Sequence, residues 1–209
     1  MNKTLRHCLL LLLLAMMPCF LVFPQQREWY VSGPNKNFPG NDQNDGTREQ
    51  PLSSVQRALR LIKNAYEKEP FETAIINIDG MIEDLGQEAE IFGIVTIRGN
   101  EYPSIIIRGM DSNAGLNARE NRRVIYLENS KKLTIEKLII TGGRASTGAG
   151  IYAAGSDLII EADAIIRDNT GGFGGGIYVE GGTCVFKGTV SGNRAENGGG
   201  GAFISGDCT

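Results

Sequence analysis

From Val124 onward the apolar residues come in runs of three or four, cut by Gly, Asn, Asp or Ser. "VIYL", "KLTI" and "KLII" are followed by "IYA", "DLII" and "AII", all rich in Ile, Leu and Tyr. Runs this short, bounded by turn formers, predict strands rather than helices. The runs also recur in register. Ile125, Ile151, Ile177 and Ala202 open successive segments at offsets of 26, 26 and 25; Tyr126, Tyr152, Tyr178 and Phe203 form a second column, and Leu127, Ala153, Val179 and Ile204 a third. Later in the repeat, Ile139 and Ile140 stand 26 residues before Ile165 and Ile166. Three strands and three turns in each period describe one coil of a parallel β-helix, stacked on the last at about 4.8 Å. A leucine-rich repeat has a similar period, but its L-x-x-L-x-L scaffold is missing.

Glycine use follows the same period. Of the 28 glycines, 19 lie at or after Gly142, gathered in "TGGRASTGAG", "TGGFGGG" and "NGGGG" just before each segment opens. These are the places where coils turn corners, and glycine tolerates positive φ and close backbone approach there. Gly148 to Ala153, "GAGIYA", also fits the dinucleotide pattern G-x-G-x-x-G/A. That reading requires a helix directly after the glycines. The chain instead continues "AGSDLIIEADAIIRDN", and the same place reads "GGGIYV" and "GGGAFI" in later periods, so the glycines read as corners.

Upstream, "YVS", a loop "NDQNDGT" and a Pro lead into an amphipathic stretch. Leu52, Val55, Leu59, Ile62 and Tyr66 recur at three- and four-residue intervals, predicting a helix with Ser53 or Ser54 as N-cap. Such a helix can cover the end of the first coil, where an open strand edge would template aggregation. "TAIINIDG", "GIVTIRG" and "SIIIRG" supply the first strands, and polar Met110 to Arg123 reads as a loop protruding from the stack.

At the N-terminus, Lys3 and Arg6 precede an uncharged, largely apolar run from Cys8 to Phe23. A charged segment followed by a run too short for a bilayer span reads as an export signal. Its removal takes away His7, the only histidine, and shifts the formal net charge from −3 to −5 by the loss of Lys3 and Arg6. Ser-His-Asp, Cys-His and HExxH chemistry are then excluded. A mildly acidic chain without a basic cluster is a poor partner for nucleic acid. Cys184 and Cys208 would remain, in a compartment that permits disulfides; constant offsets set Cys208 opposite Thr183, which disfavours their pairing.

"GAGIY" with "IIRDN", and "GGGIYV" with "TVSGN", resemble the repeats of bacterial polymorphic outer membrane proteins. Passengers of that family carry GGA before an aliphatic residue and an F-x-x-N tetrapeptide; here Ile166 and Val190 stand where the family has Phe, ahead of Asn169 and Asn193. The "WYVSGPNKNFPGNDQNDGT" opening is similar to that of many secreted β-helix proteins. The resemblance implies a right-handed parallel β-helix of the pectin-lyase type, on or outside the outer membrane. The expected class is thus all-β, with an N-terminal cap containing one amphipathic helix. Residues 1–24 form the signal peptide, 25–82 the cap and 83–209 the coils. Because "AFISGDCT" begins a period and stops within it, Thr209 is expected to end a fragment, a truncated reading frame or one part of a longer stack.

Two functions fit this scaffold, and fold alone does not choose between them. One is a non-catalytic surface or secreted module, a passenger or adhesin whose partners are host or cell-surface glycans or proteins. The other is a polysaccharide lyase or glycosidase, which would need carboxylates gathered on one face. The clearest acidic groups are Glu83, Asp84, Glu88 and Glu90 in "EDLGQEAE", and Asp42 and Asp45 in "NDQND", both read as loops or turns. The latter misses the EF-hand spacing, with Asn41, Gln43 and Leu52 at the first, third and twelfth ligand positions. Asp168 aligns with Gly192 and Asp157 with Thr183, so no acidic column emerges for paired-carboxylate chemistry. No catalytic, cofactor-binding or metal-ligating residue is assigned, and the non-catalytic reading is preferred. The aromatic column would be a core ladder if it faced inward and a platform for sugar rings if it faced outward; the inward ladder is the expectation. Asn169 and Asn193 read as turn residues, or an asparagine stack, that satisfy backbone groups.

Overall fold

The computed structural model describes residues 26–84 and 92–208, so the expected signal lies outside the described residues. The chain enters with β1 (Gln26–Ser32), crosses a loop to helix α1 (Val55–Lys68), and continues through β2 (Thr73–Asp79), β3 (Met81–Glu83) and β4 (Val95–Arg98). β5 (Ser104–Gly109) and β6 (Gly115–Asn117) come next. One full turn then runs through β7 (Ile125–Glu128), β8 (Lys132–Glu136), β9 (Ile139–Thr141) and β10 (Arg144–Thr147). A second comprises β11 (Ile151–Ala154), β12 (Asp157–Ile160), β13 (Ile165–Arg167) and β14 (Thr170–Phe173). β15 (Ile177–Phe186), β16 (Thr189–Ser191) and β17 (Arg194–Gly198) make a third, and β18 (Ala202–Cys208) opens another.

Strands pair with their counterparts one turn away, always in parallel, giving an all-β parallel β-helix of about 4 turns. Ile151 sits between Ile125 and Ile177, and Ala202 lies beyond Ile177, as the repeat columns require. Four faces result. β4, β7, β11, the start of β15 and β18 stack on one; β1, β2, β5, β8, β12 and the end of β15 stack on the next. β3, β6, β9, β13 and β16 form the third face, and β10, β14 and β17 the fourth. The fourth face corrects the expectation of three strands per coil. "RAST", "TGGF" and "RAENG" lack an apolar run, so they read as corners, yet their backbones pair as strands.

The core is the set of inward columns. Ile125, Leu127, Leu133, Ile135 and Ile140 are fully buried, as are Ile151, Leu158 and Ile166 one turn on. Burying a side chain of this size contributes roughly 1.5–3 kcal/mol. The corners between faces demand left-handed backbone. Gly148, Gly174 and Gly199, in one column, have φ of 52°, 56° and 64°. A β-carbon at Gly148 would lie 2.4 Å from the Ile151 carbonyl oxygen. Gly142, Asp168 and Gly192 form a second such column, with φ of 65°, 56° and 63°. Asp is among the residues that tolerate this conformation, and glycine stands opposite it because a β-carbon at Gly192 would lie 2.5 Å from Asp168 Oδ1.

The first turn is closed by α1. Ser54 is the N-cap, its side chain accepting from the Arg57 N–H at 3.2 Å. Val55, Ala58, Leu59 and Ile62 are buried, Tyr66 packs against the core, and the helix packs on β1, β2 and β4. Leu52 lies before the helix, bridging Val31, rather than on its face. β4 pairs on one side with β7, and on its other side the Gln56 side-chain oxygen accepts from the Thr96 N–H at 3.0 Å. A helix side chain thereby satisfies a donor of the terminal strand.

Two further expectations are corrected. Met110 to Arg123 is not simply a protruding loop, because it carries β6, stacked between β3 and β9, with Ala114, Leu116 and Ala118 fully buried. Their spacing of two is the inward alternation of a strand, diluted by polar neighbours. Nor does Cys208 face Thr183. A register shift between Glu180 and Thr183 pairs Thr183 with Asp207 and Cys184 with Cys208. The extra residue sits at Gly181 and Gly182, whose φ of 66° and 76° form the bulge.

Candidate functional site

The most regular chemistry lies on the outer face of the β4–β7–β11–β15–β18 stack. Ile125 and Leu127 point inward with no exposed surface, so alternation turns Tyr126 and its column outward. The column is a ladder, but it lies outside the core, contrary to expectation. Phe92 and Tyr126 are 4.9 Å apart between centroids, Tyr126 and Tyr152 5.0 Å, Tyr152 and Tyr178 5.5 Å, and Tyr178 and Phe203 5.2 Å. From Tyr126 to Phe203 the planes lie within 8° of parallel. That geometry has a chemical consequence. Each interior ring spends both faces on its neighbours, leaving only edges and hydroxyls to solvent, so sugar rings cannot stack face-on along this column.

Basic groups secure the ladder from the side. The Arg123 guanidinium lies 5.3 Å and 4.9 Å from the Tyr126 and Tyr152 centroids. It donates to the carbonyls of Thr147 at 2.6 Å, Gly148 at 3.0 Å and Phe92 at 3.1 Å, tying three successive turns together. Burial lowers its pKa from the ordinary arginine value. Arg98 lies over Phe92 at 4.9 Å and pairs with Glu128 at 2.7 Å. The Tyr126 phenol is pushed up to about 12, first by burial and then by its hydrogen bond to Glu128. Glu128 is lowered in turn, chiefly by that same bond.

An asparagine stack runs where the third face meets the fourth. Asn169, fully buried, accepts from the Gly143 N–H at 2.8 Å through Oδ1. Its Nδ2 donates to the carbonyls of Ile140 at 3.2 Å and Arg167 at 3.0 Å, and to Asn193 Oδ1 at 2.9 Å. Asn193 Oδ1 also accepts from the Asn169 N–H at 3.0 Å, and its Nδ2 donates to the Ile166 carbonyl at 2.8 Å. Both side chains are thus absorbed by corner backbone in neighbouring turns, as expected of an asparagine stack.

The acidic residues are dispersed among structural partners. Asp42 accepts from the N–H groups of Ser53 and Ser54, each at 3.0 Å, and from the Ser54 hydroxyl at 2.8 Å, which braces the start of α1. Asp45 accepts from the Thr47 N–H at 3.0 Å, and this bond is the main reason its pKa is lowered. Glu83 pairs with Arg119 and Asp84 with Arg122, each at 2.7 Å; Glu88 and Glu90 lie outside the described residues. Asp157 accepts from the Thr183 hydroxyl at 2.7 Å, and Asp168 pairs with Arg167 at 2.7 Å. Asp42, Glu83 and Asp84 do border one cavity, of about 300 Å³, together with Ser53, Ser54, Gln56 and Arg122. All three carboxylates there are engaged, Asp42 by the helix start, Glu83 by Arg119 and Asp84 by Arg122. Among the described residues, no three His, Cys, Asp or Glu side chains come together as a metal site would require.

Arg98 and Arg123 escape sequence reasoning because neither recurs at the repeat period; Arg123 sits in "ENRRV", a place the pattern marks only as loop. No family model matches the chain, and comparison with curated proteins and with solved structures likewise finds no match.

Proposed function

We propose that this protein is an exported, non-catalytic surface or secreted β-helix module, a passenger or adhesin of the kind found in polymorphic outer membrane proteins. One observation carries the non-catalytic part. The side chains that recur once per turn, in the aromatic ladder and the asparagine stack, bond to the same columns in neighbouring turns instead of converging on a shared cleft. An enzyme built on this scaffold would keep gathered carboxylates available to substrate, whereas Asp42, Glu83 and Asp84, which border one cavity, and Asp157 and Asp168 elsewhere each hold a structural partner. The exported part rests on Lys3, Arg6 and the apolar run from Cys8 to Phe23. Partners on this reading are host or cell-surface glycans or proteins, met on an outer face rather than in a cleft.

The test is localisation together with an activity screen. Fractionation of expressing cells should place the protein outside the cytoplasm, sensitive to protease added to intact cells, and a panel of acidic polysaccharides should remain uncleaved with or without Ca²⁺. Retention in the cytoplasm would sink the exported reading. Cleavage that follows the pure protein would replace the module with a lyase or glycosidase.

A further inference from the structure

We propose that Cys184 and Cys208 form a disulfide that staples β18 to the preceding turn. The inference rests on the exported reading for its oxidising compartment, but the geometry behind it does not depend on that reading. The bulge at Gly181 and Gly182 shifts the β15–β18 register by one residue and brings Cys208 directly opposite Cys184. Without the shift Cys208 would face Thr183, on the alternate side of the strand. Directly opposed residues on neighbouring strands sit about 4.8 Å apart, inside the roughly 4.4–6.8 Å window of Cα separations that disulfides span. Cys184 is 2% exposed, at the end of the inward column that contains Leu133 and Leu158. Among the described residues β18 pairs with β15 alone, so the bond would add a covalent link to that one pairing.

The chemistry is a two-electron exchange with a thiol–disulfide oxidant such as oxidised glutathione. One cysteine thiolate attacks the oxidant's disulfide and displaces one thiolate. The second cysteine thiolate attacks the resulting mixed disulfide, forming the Cys184–Cys208 bond and releasing the second. The two thiol protons pass to the released thiolates, and the protein's two electrons leave with the reduced oxidant.

The experiment refolds the full chain in a glutathione redox buffer, quenches with an alkylating agent and maps the peptides. Cys8 and Cys19 act as internal competitors. The expected result is a dominant 184–208 linked peptide, loss of both thiols to alkylation, and slower protease cleavage between the two positions than in Cys208→Ser, which keeps the buried Cys184 and guards against a folding defect. Alkylation of both cysteines, or linkage to Cys8 and Cys19 as often as to each other, would overturn the proposal. A parallel acid quench of expressing cells reads the compartment: reduced thiols there, with a linked pair after refolding, count against export and leave the geometry standing.

Discussion

Asn169→Ala is the most informative perturbation, because it removes a fully buried side chain that serves three backbone groups in two turns. Truncation leaves the Gly143 N–H without the acceptor at 2.8 Å and takes the donor at 3.2 Å from the Ile140 carbonyl. An orphaned buried polar group costs about 1–3 kcal/mol. Two such groups plus a small cavity put the loss at about 3–4 kcal/mol, near the upper end for a point substitution. Asn193 makes the equivalent bonds at a half-buried position, where water can replace part of them, so Asn193→Ala should cost about 1 kcal/mol. The assay is urea unfolding followed by far-UV circular dichroism, comparing midpoints at equal slope. Asn169→Asp adds a pH signature. Its carboxylate would face the Ile140 and Arg167 carbonyls and Asn193 Oδ1, so its folded pKa lies above the unfolded value near 4. The destabilisation is therefore present above the folded pKa and fades as pH falls through it, so the variant should gain stability relative to wild type on acidification. Equal effects of the two alanine substitutions, or a loss at Asn169 below about 1 kcal/mol, would refute the idea that the stack bears on coil-to-coil cohesion.

Gly148→Ala forces a β-carbon to within 2.4 Å of the Ile151 carbonyl oxygen at a φ of 52°, so a loss of more than about 2 kcal/mol in the same unfolding assay is expected; a neutral result would show that the corner can reshape. Absorbance titration of tyrosine should resolve one phenol, Tyr126, ionising near 12, with Tyr126→Phe deleting that phase. Because the folded pKa is raised, the unfolded state loses this proton first, and stability falls as pH climbs from about 10 toward 12; an unshifted titration would contradict its burial. Asp42→Ala removes the acceptor for the Ser53 and Ser54 N–H groups and should cost about 1–2 kcal/mol, seen as faster amide exchange confined to the first turn of α1.

Much of the fold is legible from the chain because a solenoid writes its geometry as a period. The Ile125, Ile151, Ile177 column predicts its own pairing, since parallel in-register stacking puts like on like at every turn. The features that escape are those without side-chain signal. The fourth face is held by backbone bonds through "TGGF" and "RAENG", and glycine-rich strands look like corners. β6 hides because only Ala114, Leu116 and Ala118 mark its inward side. The aromatic column shows the opposite limit. Alternation announces that Tyr126, Tyr152 and Tyr178 share a face but not which one; that is settled by the neighbouring Ile and Leu filling the interior. The one-residue shift that pairs Cys184 with Cys208 depends on a glycine bulge, which constant offsets cannot register.

The central claim is that the recurring residues are used up by stacking turn on turn. Nuclear Overhauser contacts between aromatic rings in the folded chain test it most directly, with single Tyr→Phe substitutions for assignment. Turn-on-turn stacking predicts a strictly sequential set, Tyr126 to Tyr152, Tyr152 to Tyr178 and Tyr178 to Phe203, matching centroid separations of 5.0, 5.5 and 5.2 Å, and none between Tyr126 and Tyr178. Absence of the sequential contacts, or a Tyr126–Tyr178 contact in their place, would contradict it.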